Sequence, residues 1–155
     1  MSKPAVKFTL SNPIHFLALG FGSGLSPKAP GTFGTLAAIP VFLLFSYFTP
    51  LFYSIAVLIV CVAGIYICGK TAEDVGVHDH GAIVWDEIAG YLITMFLIPN
   101  RWQSIVVGFI LFRIFDILKP WPISYIDKQI HGGFGIMFDD VIAGVMALAC
   151  MHFIF

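Results

Sequence analysis

Acidic residues stand in adjacent pairs immediately before two apolar runs of this chain. Asp86 and Glu87 precede one run, and Asp139 and Asp140 precede another. The chain has only nine acidic residues among 155, so these pairs hold nearly half of them. Carboxylate oxygens are hard ligands that suit Mg²⁺, and a bound cation would offset the cost of clustered negative charge in a poor dielectric. The pattern therefore predicts a magnesium site.

The two acidic pairs also share a local sequence pattern. Asp86 begins the stretch DEIAG and Asp140 begins DVIAG, so an Ala-Gly pair follows each acid by one helical turn. Small residues let two helices approach closely in a membrane. We therefore expect Asp86 and Asp140 to face each other at the membrane surface. Taken separately, Asp86 also reads as an ordinary helix cap, and Glu87 as a favourable charge in a first turn.

A glycine-rich stretch, residues 20–38, is suited to binding an anion. Its five glycines let backbone N–H groups approach a ligand, and Thr32 or Thr35 is expected to cap the helix that begins there. A helix N-terminus attracts anions, and Lys28 adds a full positive charge. The stretch lacks the GK[ST] of a Walker loop. A Gly/Pro turn before a membrane helix explains it equally well.

The segment RIFDILKPWP, residues 113–122, carries charges at helical spacing. Arg113, Asp116 and Lys119 are three residues apart and share one helix face. They either pair with one another, or Asp116 binds metal while the two cations hold phosphate. Pro120 and Pro122 are expected to end the helix, because proline cannot continue its hydrogen bonding.

The tripeptide His78-Asp79-His80 offers two imidazoles close to the first acidic pair. A zinc site needs a third His or Cys at a suitable spacing, and none follows. Alternate residues on an extended chain also point apart. Asp79 is a further oxygen donor, which again favours magnesium over zinc.

The composition is that of an integral membrane protein with one domain, residues 1–155. The chain is 59% hydrophobic and 11% charged, whereas soluble proteins have about 25% charged residues. Its mean hydropathy is +0.93. The net charge of −1 and the scattered bases give no reason to expect nucleic acid. The three cysteines lie in apolar segments without a CxxC pair, so they read as reduced thiols. The chain gives no indication of oligomeric state.

Five apolar segments predict an all-α bundle of about five membrane-embedded helices. They form two hairpins and a final pass: residues 36–48 and 51–68, residues 88–98 and 104–115, and residues 141–155. Thr49 is expected to cap the second helix and Pro50 to open it. Several segments are shorter than the roughly 20 residues that cross a bilayer. Either the helices extend into the polar motifs, or the bundle sits shallowly in the membrane.

This hairpin arrangement places residues 1–35, 69–87 and 116–140 on one face of the membrane. That face carries all nine acids and seven of the eight bases, and the positive-inside rule marks it as cytoplasmic. An ion or metal transporter is the alternative function, since intramembrane acids mark ion paths. A transporter should carry charge in mid-helix and polar groups on both faces. Here the helix middles are nearly free of charge and the opposite face keeps only Arg101 as a formal charge, which disfavours transport. A purely structural subunit leaves the acids unexplained.

Four long motifs resemble those of the phosphatidylglycerophosphatase A family, and the resemblance runs from about Asn12 to the C-terminus. The motifs are GFGSGLSPKAPGTFGTLAAIP, DVGVHDHGAIVWDEIAGY, FRIFDILKPWPI and HGGFGIMFDDVIAGV. The resemblance implies a Mg²⁺-dependent enzyme of the bacterial inner membrane. Such an enzyme hydrolyses phosphatidylglycerophosphate to phosphatidylglycerol and phosphate in phospholipid biosynthesis.

The resemblance and the motifs together assign roles to individual residues. The expected metal ligands are Asp86, Glu87, Asp116, Asp139 and Asp140. The expected phosphate-binding residues are Lys28, Gly31, Thr32, Arg113 and Lys119. The expected catalytic residues are Glu87 as general base and His78 or His80 as proton donor to the leaving oxygen, with Asp79 beside them. Other phosphatase chemistries are excluded, because the chain has neither a Cys-x5-Arg motif nor a DxDxT motif.

Overall fold

The computed structural model describes residues 8–76, 81–130 and 132–155, and within those ranges the regular structure is all helical. The all-α prediction is therefore confirmed. The helices are α1 (Pro13–Ala18), α2 (Pro30–Phe45), α3 (Pro50–Val75), α4 (Trp85–Thr94), α5 (Trp102–Leu118), α6 (Ile123–Gln129) and α7 (Gly132–Ile154), with a 3₁₀ turn at Ser23–Leu25.

Each of the five predicted apolar segments lies largely within one helix, but the lengths differ from expectation. All five helices extend into the polar motifs, and two of them, α2 and α4, end several residues before their apolar segments do, at Phe45 and Thr94. Within the described ranges, two helices are long and apolar enough to cross a membrane: α3, with 26 residues, and α7, with 23. The structure thus provides two candidate spans, and the count of five crossings stays a prediction.

Of the helix caps predicted from the sequence, one is confirmed and two are wrong. Thr49 caps α3 as expected, because its side chain accepts a hydrogen bond from the backbone N–H of Phe52. The cap predicted at Thr32 or Thr35 is wrong: α2 begins at Pro30 after Ala29, and the hydroxyl of Thr35 donates to the carbonyl of Gly31 instead. Asp86 is not a cap either, since Val84 holds that position in α4.

Helix α4 forms the centre of the bundle and contacts α2, α3, α5 and α7. Its Tyr91 and Leu92 are fully buried, and the hydroxyl of Tyr91 donates to the carbonyl of Ile105 in α5. Tyr53 of α3 donates to the carbonyl of Leu92. A ten-residue helix is too short to span a bilayer, so α4 is held in place by the longer helices around it.

Two short helices occupy segments that the sequence pattern places in polar connections. Helix α1 packs against α3, and helix α6 packs against α7. Asn12 caps α1 by accepting from the backbone N–H of Ile14 at 2.9 Å, and Pro13 follows at the first helical position. The sequence pattern predicted neither helix.

Candidate metal and phosphate site

Three carboxylates from two helices meet at one point. Asp86 and Glu87 lie in the first turn of α4, and Asp140 lies on α7; one ligand oxygen from each falls within 4.8 Å of the others. The prediction that Asp140 stands at the head of its helix is wrong, because α7 begins eight residues earlier, at Gly132. The predicted meeting of Asp86 and Asp140 is nevertheless confirmed. We call Asp86, Glu87 and Asp140 the carboxylate triad.

The triad has the unsatisfied oxygens that a cation site requires. Asp86 is 6% exposed and Asp140 is 2% exposed. One oxygen of each triad member is buried without a hydrogen-bond partner: Asp86 Oδ1, Glu87 Oε2 and Asp140 Oδ2. Buried polar groups without partners are costly. A ligand set made only of carboxylate oxygens suits Mg²⁺ better than zinc, so these residues fit a magnesium ion.

The site disfavours negative charge on α4 when no cation balances it. Burial, together with the nearby charge of Asp116, raises the pKa of Glu87 to about 7, although Asp86 and the charge of Arg113 act in the opposite direction. Burial also raises the pKa of Asp86 well above its usual value, and the charges of Asp140 and Glu87 add to this effect. Without metal, Glu87 is therefore partly protonated near neutral pH, and a divalent cation would replace that proton.

The other two predicted ligands form ion pairs at the edge of the triad. Asp116 is buried, and one of its oxygens accepts a hydrogen bond from Nη1 of Arg113, three residues earlier on α5. Asp139 lies 3.8 Å from the amine of Lys119. Of the five predicted metal ligands, three therefore form the triad and two form ion pairs with Arg113 and Lys119.

Arg113 also lies directly against the glycine-rich stretch. A Cβ at Gly31 would be 3.0 Å from both terminal nitrogens of the Arg113 guanidinium, so only glycine leaves the guanidinium its present position. Nε of Arg113 is buried without a hydrogen-bond partner. A guanidinium that is held beside carboxylates and has a spare donor is suited to a phosphoryl group.

The remaining cationic candidates differ in how close they come to the triad. Lys119 ends α5, and although burial alone would lower its pKa, the charges of Asp140, Asp116 and Asp139 raise the pKa overall. Its amine therefore stays protonated. Lys28 is exposed in the turn before α2, where its carbonyl accepts from the hydroxyl of Ser26 at 2.8 Å. Thr32 lies in the first turn of α2, next to Gly31.

The histidine motif cannot be assigned a position. His78, Asp79 and His80 lie outside the described residues, so their expected catalytic roles stay predictions. Glu87, the other expected catalytic residue, lies within the triad.

Comparison with known proteins identifies the family. A family model for phosphatidylglycerophosphatase A matches residues 16–155. The phosphatidylglycerophosphatase A of Escherichia coli is 51% identical over 149 residues, covering 96% of this chain and 87% of that protein. That of Haemophilus influenzae is 50% identical over 149 residues, covering 95% and 91%. The chain belongs to the phosphatidylglycerophosphatase A family. The expected resemblance is confirmed, and so is the expectation of a phosphatase.

A more distant relative of this chain has a different name. A Bacteroides thetaiotaomicron protein, 39% identical over 137 residues, covers 83% of this chain and 85% of its own length. It is named, provisionally, as a phosphatidylinositol-3-phosphatase. No solved structure matches the chain.

In this phosphatidylglycerophosphatase A family member, three glycines expected to approach phosphate instead make room for the chain before α4. A Cβ at Gly24 would lie 2.0 Å from the carbonyl oxygen of Ala82, and one at Gly34 would lie 2.5 Å from Cβ of Val84. A Cβ at Gly20 would lie 2.7 Å from Cγ2 of Val84. The glycine spacing is visible in the sequence, but the segment that fills the space is not.

Proposed function

We propose that this protein is a Mg²⁺-dependent phosphatidylglycerophosphatase. It hydrolyses the terminal phosphomonoester of phosphatidylglycerophosphate, and the products are phosphatidylglycerol for phospholipid biosynthesis and inorganic phosphate. The observation that carries the proposal is the carboxylate triad, with three buried oxygens that lack partners. Membership of the phosphatidylglycerophosphatase A family supports the choice of lipid substrate.

The described residues supply binding, charge balance and proton transfer. Asp86, Glu87 and Asp140 would hold the Mg²⁺, which when bound supplies Lewis-acid stabilisation of the phosphoryl charge. Arg113 donates hydrogen bonds to the phosphoryl oxygens, and Lys119 offsets their remaining negative charge.

Proton transfer accompanies the exchange of one P–O bond for another. A bond forms from the water oxygen to phosphorus, and the bond from phosphorus to the glycerol oxygen breaks. Glu87 accepts the proton from the attacking water through Oε2, which is buried in the site without a hydrogen-bond partner. His78 or His80 protonates the departing glycerol oxygen, an assignment based on the sequence alone.

We place the active site at the cytoplasmic face of the bacterial inner membrane, in a multi-pass protein. Two helices have the length and apolarity of membrane spans. The lysines and arginines cluster on the side of the acidic motifs, and the positive-inside rule assigns that side to the cytoplasm. A phospholipid whose acyl chains stay in the bilayer would present its headgroup phosphate at this level.

Phosphate release from detergent-solubilised phosphatidylglycerophosphate by the purified protein tests the proposal. We expect release with Mg²⁺ and none with excess chelator, and we expect Asp86→Asn to be inactive while Glu73→Gln, an exposed acid of α3, matches the unchanged protein. Phosphatidylinositol 3-phosphate should be the poorer substrate. Phosphate release that continues in excess chelator would contradict the magnesium site. A preference for the inositol lipid would contradict the proposed substrate.

A further inference from the structure

A buried histidine links two segments that lie apart from the carboxylate triad. His15 of α1 is 4% exposed, and its Nδ1 accepts the backbone N–H of Thr9 at 3.1 Å. Because an N–H group points at Nδ1, we assign the ring proton to Nε2. Nε2 lies 3.0 Å from Oδ2 of Asp74 on α3 and donates to it. The other oxygen of Asp74 accepts from Lys70 at 2.8 Å.

The opposite end of α1 holds the start of α4. The carbonyl of Ala18, the last residue of α1, accepts a hydrogen bond from the backbone N–H of Val84 at 2.8 Å. Ala18 and Val84 are both completely buried. Val84 is the residue before the first turn of α4, and that turn carries Asp86 and Glu87. Helix α1 therefore connects Asp74 on α3 to the first turn of α4, which carries two members of the triad.

The connection is tight enough to transmit a displacement. The Val84 side chain fills the space over Gly20 and Gly34, where added Cβ atoms would lie 2.7 and 2.5 Å from it. Packed interiors do not absorb shifts of this kind without moving their neighbours. A tilt of α1 would therefore move Val84, and with it the two acids that follow within one turn.

We propose that His15 and Asp74 are positioning residues: through α1 and Val84 they set the placement of Asp86 and Glu87, and thereby the affinity of the triad for a divalent cation and the rate of hydrolysis. The inference rests on the proposed function for its catalytic consequence, but not for its effect on cation binding. Neither residue is a member of the triad.

Two substitutions at His15 distinguish its contact with Asp74 from its contact with Thr9. In His15→Gln, the side-chain amide N–H replaces Nε2 as a donor to Asp74. In His15→Asn, the shorter side chain keeps an acceptor near Thr9 but no longer reaches Asp74. Asp74→Ala removes the acceptor on α3. Lys70→Gln is the matched control, because it removes the other hydrogen bond of Asp74 and leaves the His15 contact intact.

Binding of Mn²⁺ to the purified protein in detergent, followed by electron paramagnetic resonance, measures the triad without relying on activity. We expect His15→Asn and Asp74→Ala to weaken Mn²⁺ binding and lower kcat by roughly tenfold, as for residues that orient metal ligands. His15→Gln and Lys70→Gln should match the unchanged protein. The thermal unfolding midpoint is measured alongside for all four variants.

Equal behaviour of His15→Asn and His15→Gln, or unchanged Mn²⁺ binding in Asp74→Ala, would overturn the proposal. Outright unfolding of His15→Asn and Asp74→Ala would overturn it too, because the link would then serve stability instead of placement. An unchanged protein that binds Mn²⁺ but releases no phosphate would refute the proposed function alone.

Discussion

Gly144 of α7 lies against the backbone of Gly90 in α4: a Cβ at Gly144 would be 2.6 Å from the carbonyl oxygen of Gly90. The same two helices also approach closely one turn away, since a Cβ at Gly90 would be 2.9 Å from the carbonyl oxygen of Asp140. Each glycine lies one helical turn beyond an acid of the triad. The close approach of the two glycines therefore brings Asp86 and Asp140 together.

Replacing Gly144 by alanine should separate α4 from α7. The new methyl group would meet a backbone carbonyl, which cannot rotate away, so we expect a loss of stability of about 1–3 kcal/mol and a weaker affinity for Mg²⁺. Gly108→Ala is the control, because its methyl group would meet the flexible end of Met95. Thermal unfolding and a Mg²⁺ titration of phosphatase activity measure both effects. Equal results for the two variants would show that the contact between the helices is unimportant.

Gly31→Ala should disturb phosphate binding without affecting the triad. Its methyl group would lie 3.0 Å from both terminal nitrogens of Arg113, so the guanidinium must move. We expect KM for the lipid to rise several-fold, while the Mg²⁺ concentration at half-maximal activity stays constant. Gly81→Ala is the control, since its methyl group would only touch Pro30 at 3.7 Å. A normal KM in Gly31→Ala would show that the position of Arg113 does not affect substrate binding.

Amide variants of the five acids should fall into distinct classes. Asp86→Asn and Asp140→Asn remove charge from the triad, so we expect activity to fall by at least the roughly 10–100-fold typical of changes around a metal ligand. Glu87→Gln and Asp116→Asn should follow, and Asp139→Asn should have the smallest effect. Activity across a Mg²⁺ titration, beside thermal stability, checks this order. Near-normal activity of the first two variants at low Mg²⁺ would rule out the shared site.

The pH dependence of the metal-free protein should report on Glu87. Burial raises the pKa of Glu87 from 4.5 to about 7, so the folded state keeps a proton that the unfolded state has already lost. The stability from this group is fully present below pH 4.5 and is lost as the pH rises through about 7. Mg²⁺ must displace the same proton, so its affinity should increase over this range.

Unfolding midpoints of the chelated protein between about pH 5 and pH 8 measure this effect on stability. Glu87→Gln removes this titrating group and should reduce the dependence on pH. If the two proteins show the same slope, Glu87 is not the group responsible.

The topology predicts which surface positions share a side of the membrane. Single cysteines at Glu73 and Gln129, in a background without the three native cysteines, should label from the cytoplasm. Cysteines at Tyr47 and Arg101 should label from outside; all four positions are exposed. An impermeant maleimide applied to intact cells and to inverted vesicles distinguishes the sides. Labelling of Glu73 and Gln129 from opposite sides would refute the hairpin formed by α4 and α5.

Local sequence signals predicted the long helices but not the short ones. The Thr49-Pro50 pair marked the start of α3 because capping and the fixed φ of proline act within a few residues. Helices α1 and α6 have six and seven residues, which is too short to show a repeating apolar face. They form because α3 and α7 cover them, and that packing is not encoded within either segment.

The sequence by itself determined that Asp86 and Asp140 would meet, because each acid is followed at one helical turn by residues small enough for helices to touch. Only the tertiary structure decided which acid accompanies which cation. Arg113, Asp116 and Lys119 have the spacing to pair along one helix, yet Lys119 lies near Asp139 of α7 while Arg113 pairs with Asp116. Spacing along the chain sets only which side chains share a helix face. The rotation and separation of packed helices set which charges come within reach.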